Sequence, residues 1–392
     1  MDQFRNDHAA TKTDLMMGVY KTDEGKAHVL SSVKKAKERL FADPSWHHDY
    51  RESLIGSKAF REASIRLFFG DKSSVVRDKR VASMQTLGAT GACHSAAVLL
   101  RDHYAPWKSK PPCVYIPQQS WTNHAFVFTS LNIGASFLPY YDPITCGLGF
   151  TTLKAAIYDL PPESVIVFQT GAQNPTGCDP SQEQWEQLAS VFKERGHLAL
   201  FDAAYPGFAS GDMEEDLHCL RLFVNLDIPV VLAATYGKCF GLYCERVGIL
   251  SIVAPDQDIR ERVEVQMRLL ARSESGPMPD FGSTIVENIL NDHDLESQWR
   301  EEVREMAGEL RNRRMELKKK LDALGTPGDW SCITNQKGMF TFTGLSLPQI
   351  HHLRDKHHVY LQLSGRLSVA GLNSSNLDHV AESIDHTVRT IS

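Results

Sequence analysis

Lys238 stands shortly after the apolar run Val230-Val231-Leu232-Ala233-Ala234, in the segment Thr235-Tyr236-Gly237-Lys238-Cys239-Phe240. A lysine just past a buried strand is well sited to be desolvated, which frees its amine to form a Schiff base with a carbonyl. Arg246 follows eight residues later and offers a bidentate grip on a phosphate. Asp202 closes another apolar run, Leu198-Ala199-Leu200-Phe201, with Tyr205 three residues on. A carboxylate there is costly to bury unless paired, so a cationic partner is expected; an aspartate in this position also suits a helix N-cap. Asn174 opens Asn174-Pro175-Thr176-Gly177, and Asn-Pro dipeptides are equally common turn formers. Gly88-Ala89-Thr90-Gly91-Ala92 precedes an apolar, helix-forming run. Small residues there let backbone N–H groups at a helix N-terminus approach an anion, although they also serve close helix packing.

These groups need a frame, and the middle of the chain supplies one. Apolar runs predict strands over 113–117, 136–140, 165–169, 198–202, 229–234 and 246–253. Between them, helical patterns cover 121–131, 181–195 and 214–225, the second opened by the capping box Ser181-x-x-Gln184. Such alternation implies an α/β fold with a mainly parallel sheet flanked by helices. Ligands of these sheets bind beyond the carboxyl ends of the strands. Asn174, Asp202 and Lys238 each fall at or soon after a strand's last residue. A long helix is predicted over 299–324, with Val303, Met306, Leu310, Leu317 and Leu321 on one face. Its runs Arg311-Asn312-Arg313-Arg314 and Lys318-Lys319-Lys320 are read as a solvated face among glutamates. Strands over 338–342 and 360–363 and a closing helix over 376–390 suggest a second, smaller domain.

At 392 residues the chain can bury a large core, and 42% hydrophobic with 23% charged residues is ordinary for a globular protein. A net charge of −6 gives no support for a nucleic-acid partner, and no apolar run reaches membrane-spanning length. The Met1-Asp2-Gln3-Phe4 start reads as neither signal nor transit peptide. Eight scattered cysteines without a Cys-x-x-Cys pair point to reduced thiols, hence to the cytoplasm. His351-His352 and His357-His358 lack the carboxylate and thiolate company of a structural zinc site, so no metal is expected. Cys239 reads as a small packed residue.

Read in order, Asn174-Pro175-Thr176-Gly177, Asp202-Ala203-Ala204-Tyr205 and the Lys238 segment resemble the aspartate aminotransferase family of fold-type I pyridoxal phosphate enzymes. Gly18-Val19-Tyr20, Trp121-x-Asn123-His124, Gly338-Met339-Phe340 and Gly365-Arg366-Leu367-Ser368-Val369-Ala370-Gly371 match as well, so the likeness spans nearly the whole chain. It implies a seven-stranded, mainly parallel sheet in a large domain of residues 28–305. A smaller α+β domain would combine residues 1–27 with 306–392. The implied cofactor is pyridoxal 5′-phosphate, covalently bound as a Schiff base on Lys238, which also moves the substrate proton. Asp202 would face the pyridine nitrogen, with His124 behind it. Tyr205 and Asn174 would bond the ring's phenolic oxygen, and Trp121 would stack on the ring. Gly88, Ala89, Thr90, Thr235 and Arg246 would hold the phosphate, joined by Tyr50 of a neighbouring subunit. Gly18, Trp121 and Asn174 would line the substrate site, where Arg366 would clamp the α-carboxylate. Arg272, reaching over from the partner of a homodimer with shared sites, would hold a distal carboxylate. The implied reaction is ping-pong transfer of an amino group between L-aspartate or L-glutamate and 2-oxoglutarate or oxaloacetate.

The chain departs from the family pattern in places. Ser273-Glu274-Ser275-Gly276-Pro277-Met278-Pro279 replaces a Trp-Ser-Asn-Pro-Pro run, and Glu274 is placed to neutralise Arg272. Gln173 stands where histidine is usual, Gly88-Ala89 where Ser-Gly is usual, and Gly237 where serine is usual. The altered loop motivates an alternative, decarboxylation, elimination or carbon–carbon bond formation on the same cofactor. A second alternative is a catalytically silent interaction protein of the same fold.

Overall fold

Seven strands meet in one sheet: β1 (Val81–Leu87), β2 (Cys113–Pro117), β3 (Gly134–Leu138), β4 (Val165–Gln169), β5 (Leu198–Ala203), β6 (Val230–Thr235) and β7 (Val247–Val253). Their order across the sheet is β1-β7-β6-β5-β4-β2-β3. Strands β2 to β6 pair in parallel, and β7 alone runs antiparallel to its neighbours β1 and β6. The computed structural model describes residues 2–51 and 53–391.

The central strands are continuous apolar runs because helices cover both faces of the sheet. Alternation of side chains decides which core each residue joins. Ile166, Phe168, Ala199, Phe201, Leu232 and Ala234 enter one apolar cluster. Val165, Val167, Leu198, Leu200, Val231 and Ala233 enter the other. Helix α1 (Gly88–His103) packs against the sheet and α2 (Asn123–Thr129) follows β2. Helix α3 (Gln182–Arg195) begins at the expected box, with Ser181 and Gln184 capping each other reciprocally.

Helix α4 (Gln257–Glu274) leads from β7 toward the altered loop, and the long α5 (His293–Ala323) follows. It starts earlier than periodicity predicts because the Asp292 carboxylate caps it, accepting from the backbone N–H of Asp294 and Leu295 at 3.1 and 2.9 Å. Trp299 on α5 is fully buried, stacked on Phe240 at 4.3 Å, and its indole N–H donates to the Cys239 carbonyl at 2.9 Å. A stacked aromatic pair is worth about 0.5–1.5 kcal/mol beyond its buried area. The long helix thereby pins the turn that carries Lys238.

The last part of the chain holds the antiparallel pair β8 (Phe340–Phe342) and β9 (Arg366–Ser368), with helices α6 (Leu347–His357) and α7 (Leu377–Thr390). Thr13–Asp14 pairs in parallel with Val359–Tyr360, returning the N-terminal segment to this region.

Three expectations need correction, and one strand was not anticipated. The helix read over 214–225 breaks at Leu217, giving Met213–Asp216 and His218–Asn225, because Asp216 turns back to accept from the backbone of Ala209 and Ser210. The strand read over 136–140 lies at Gly134–Leu138. Strand β1 went unread because Ser83, Gln85 and Thr86 interrupt its apolar pattern. The arginine run on α5 is not a uniformly solvated face: Arg313 and Arg314 are buried. Arg313 donates to the carbonyls of Ala370 and Lys21 at 3.1 and 2.9 Å, lying 5.2 Å from the Tyr20 ring. Arg314 donates to the carbonyls of Ile333, Lys337, Gly338 and Phe340.

Candidate active site

The carboxyl ends of β5 and β6 open into a cavity of about 100 Å³. It is lined by Ala89, Thr90, Trp121, Gln169, Asn174, Asp202, Ala204, Tyr205, Thr235, Gly237, Lys238 and Arg246. Strand register explains the convergence, since Gln169 on β4 lies beside Asp202 on β5, which lies beside Ala233 on β6. Asp202 is buried, and its Oδ2 faces His124 Nε2 at 3.1 Å. The other ring nitrogen of His124 meets Ser120 Oγ at 2.9 Å. A fully buried histidine wedged between a hydroxyl and a carboxylate fixes the direction of that carboxylate. Asp202 Oδ1, equally buried, has no hydrogen-bond partner.

Lys238 reaches the same space, its Nζ 5.1 Å from the Tyr243 ring and 6.0 Å from the Tyr205 ring. Burial holds its ammonium below the usual lysine range, the cations of Arg246 and Arg366 push the same way, and Asp202 opposes them. The amine is therefore easier to deprotonate than a surface lysine. Burial also pushes the Tyr205 hydroxyl up, only partly offset by Arg366. Tyr243 is held in place by its hydroxyl, which accepts from the Tyr20 backbone N–H at 2.9 Å.

Helix α1 meets Arg246 at its N-terminus. No side chain caps this helix, so its first-turn N–H groups are available to an anion. Gly88 has φ +69°, and a Cβ there would lie 2.6 Å from Arg246 Nη2. Only glycine lets the guanidinium and the helix terminus draw together. Thr235 Oγ1 donates to the Val247 carbonyl at 2.9 Å and accepts from the Gly237 N–H at 3.2 Å, fixing the turn before Lys238.

Arg366, on β9, donates to Asn174 Oδ1 at 2.8 Å and to the Met16 carbonyl at 2.7 Å. Its guanidinium carbon lies 3.9 Å from the centre of the Phe340 ring, and its buried Nε has no partner. Phe340 in turn meets Tyr205 edge-on at 5.8 Å. Gly18 closes over this group, since a Cβ there would fall 2.5 Å from Phe340 Cζ. Trp121 stands edge-on to His124 at 5.4 Å.

Sequence reasoning passed over several supports. Gln169 accepts from the Asn174 N–H at 2.9 Å and donates to its carbonyl at 3.0 Å, so it sets the asparagine. Gln173, the histidine replacement, accepts from the Thr176 N–H at 2.9 Å and donates to the Gln119 carbonyl at 2.5 Å. It ties two loops together as a neutral group. The side chain that pairs with Asp202 is the His124 imidazole rather than the lysine or arginine expected of a buried carboxylate.

Tyr50 and Arg272 stand apart both from this cavity and from the groups packed around it. Tyr50 is 82% exposed, and Arg272, on the last turn of α4, is exposed as well. Glu274 does not pair with Arg272; its Oε1 faces His94 Nδ1 at 3.3 Å. An open groove of about 880 Å³ adjoins the cavity through Thr90 and Arg246 and is lined by Phe126, His94, Glu274 and Met278 among others.

The unpartnered carboxylate oxygen suits a protonated ring nitrogen, and the uncapped helix end with Arg246 suits a phosphate. A lysine with depressed basicity lines the same cavity. The fold and this donor set define a pyridoxal phosphate-dependent aminotransferase. The family model described as aminotransferase class I and II matches residues 10–384, and the chain belongs to that family. The mitochondrial aspartate aminotransferase of Dictyostelium discoideum is 38% identical over 381 residues, 97% of this chain and 88% of that one. The cytoplasmic aspartate aminotransferase of Saccharomyces cerevisiae superposes with a TM-score of 0.96 at 35% identity, covering 100% of this chain and 95% of that one. An aromatic-amino-acid aminotransferase of Burkholderia pseudomallei, covalently bound to pyridoxal phosphate, gives 0.94 at 34% identity, covering 99% and 95%.

Proposed function

We propose that this aminotransferase exchanges the amino group of L-aspartate or L-glutamate with 2-oxoglutarate or oxaloacetate. The observation that carries this reading is the convergence of Lys238 and Asp202 on one cavity, with Arg366 hydrogen-bonded to Asn174 in its wall. The names of the curated relatives favour aspartate as the donor. Pyridoxal phosphate, when bound, supplies an electron sink that acidifies the substrate Cα–H and a carrier for the amino group.

The chain's own residues would do the rest. Gly88, Ala89, Thr90, Thr235 and Arg246 would hold the phosphate. Asp202, steered by His124, would keep the ring nitrogen protonated. Tyr205 and Asn174 would bond the ring's phenolic oxygen, and Trp121 would cover its face. Lys238, with its lowered basicity, would take the proton from the substrate Cα and return it on the other side of the transfer. Arg366 would bind the substrate α-carboxylate bidentately, its geometry set by Asn174, Met16 and Phe340. Gly18 would keep the N-terminal segment close over this clamp.

Arg272 and Tyr50 would act in the site of a partner subunit. Their exposure supports a homodimer, as does the groove beside the cavity, with Phe126 68% exposed within it. The same reading divides the chain into a large domain of residues 28–305 and a small one of 1–27 with 306–392, supported by the N-terminal strand pairing on Val359–Tyr360. Free cysteines support a cytoplasmic protein, and no helix among the described residues is long and apolar enough to cross a membrane.

The aromatic-amino-acid aminotransferase similarity and the altered loop motivate a second donor class. Competition between L-aspartate and L-phenylalanine, each with 2-oxoglutarate, separates the two. The expected result is a kcat/KM for aspartate at least about tenfold higher, because Arg272, once closed into the site of a partner subunit, would be left unpaired by phenylalanine at a cost of more than about 1 kcal/mol. The reverse order would replace the dicarboxylate assignment with an aromatic one.

A further inference from the structure

Far along the chain from the catalytic lysine, three imidazoles from two helices converge. His352 and His357 lie on α6, and His386 lies on α7. One ring nitrogen of each comes within 4.8 Å of the other two. His357 Nε2 and His386 Nδ1 stand 3.1 Å apart. The His352 ring is stacked on His386 at 5.7 Å and tilted against His357 at 5.4 Å. In a tetrahedral zinc site with Zn–N of about 2.0–2.1 Å, neighbouring ligand nitrogens lie about 3.4 Å apart. The His357–His386 pair already has close to that separation.

One ring is also oriented by an outer partner. His352 Nδ1 meets the Thr387 hydroxyl at 3.0 Å, which leaves its Nε2 as the free ligand atom. Hydrogen bonds of this kind fix ring orientation in histidine metal sites. The trio contains no carboxylate, so its chemistry favours borderline ions such as zinc over calcium or magnesium. His386 is exposed, leaving a fourth position to solvent. Here the sequence shows the adjacent pairs His351-His352 and His357-His358; the third ligand comes from a helix that tertiary packing brings beside them.

We propose that His352, His357 and His386 form a zinc-class divalent metal site, completed by water, that staples α6 to α7. Helix α6 runs directly into Val359–Tyr360, the strand paired with Thr13–Asp14, so the staple would brace the segment that leads on to Arg366. The site is independent of the transamination chemistry and is read without turnover.

The test uses tag-free, cofactor-loaded protein, stripped with a chelator and titrated with zinc chloride, then with cobalt chloride for its visible spectrum. The expected result is one ion per chain, four-coordinate cobalt bands, and a rise in Tm on zinc addition. His386→Ala and His352→Ala should each weaken binding at least about tenfold, with activity in metal-free buffer unchanged. Failure of the wild-type chain to take up zinc would overturn the site. So would affinity that is the same in His386→Ala and His352→Ala as in the wild type.

Discussion

The floor of the cavity and its rim obey different rules. On the floor, Asp202, His124 and Arg366 are buried and set by hydrogen bonds made inside one chain, and Lys238 is half-buried beside the Tyr205 and Tyr243 rings. At the rim, Arg272 and the loop after it are exposed, and Glu274 turns to His94. The floor is finished before any partner or substrate arrives. We read the rim as half of a site, whose remainder is a second copy and a distal carboxylate. The general chemistry is thus written into the sheet, while the choice of substrate is left to surface groups.

Substitutions can break this contrast or sharpen it. The largest effect is expected for Lys238→Ala. Loss of the proton-transfer group alone should cost about 10²- to 10⁴-fold in kcat, measured under saturating substrate, and addition of a small amine should restore part of it. Next is Arg366→Ala, which removes one partner of a desolvated pair. That is worth about 3–5 kcal/mol, or roughly 10²- to 10⁴-fold in kcat/KM for every amino acid tested.

Arg272→Ala probes the rim itself. If Arg272 meets a distal carboxylate in a dry site, kcat/KM for aspartate should fall about 10²-fold while phenylalanine is spared. A loss below about fivefold for both is what an exposed surface charge would give. His124→Ala returns to the floor with a smaller expected effect. A hydrogen bond to a charged group is worth about 1.5–3 kcal/mol, so kcat should fall about 10- to 100-fold with KM for aspartate little changed.

The smallest effect concerns stability. Lys238 has its basicity depressed by burial, so the unfolded chain binds more protons than the folded one. Stability of the cofactor-free protein should therefore rise as pH climbs from the depressed value toward 10.5, the ordinary lysine value. Lys238→Met should raise Tm by roughly a few degrees at neutral pH, with the gain shrinking in alkaline buffer. A melting curve at each pH checks both statements.

Much of the floor was legible in the sequence, for a physical reason. Strands buried on both faces are uninterrupted apolar runs, so β4 falls on the residues read for it, and Asp202, the polar group that follows the apolar run of β5, marks the site. Edge strands carry weaker signals. β1 is broken by Ser83, Gln85 and Thr86, although its end delivers Gly88 to the side of Arg246. Arg313 and Arg314 read as solvated because their partners are backbone carbonyls supplied by distant segments, which no local pattern announces. Gln169 and Ser120 were missed for the same cause, since their roles exist only after Asn174 and His124 are folded against them.

The central claim is that the finished floor performs the first half of an amino-group transfer from a dicarboxylic amino acid. Its most direct test is the absorbance spectrum of the cofactor-loaded protein before and after L-aspartate is added alone. A shift of the cofactor band with stoichiometric release of oxaloacetate is the predicted result. A band that ignores aspartate but shifts with another amino acid would contradict the donor assignment, and one that responds to no amino acid would contradict the account of the floor.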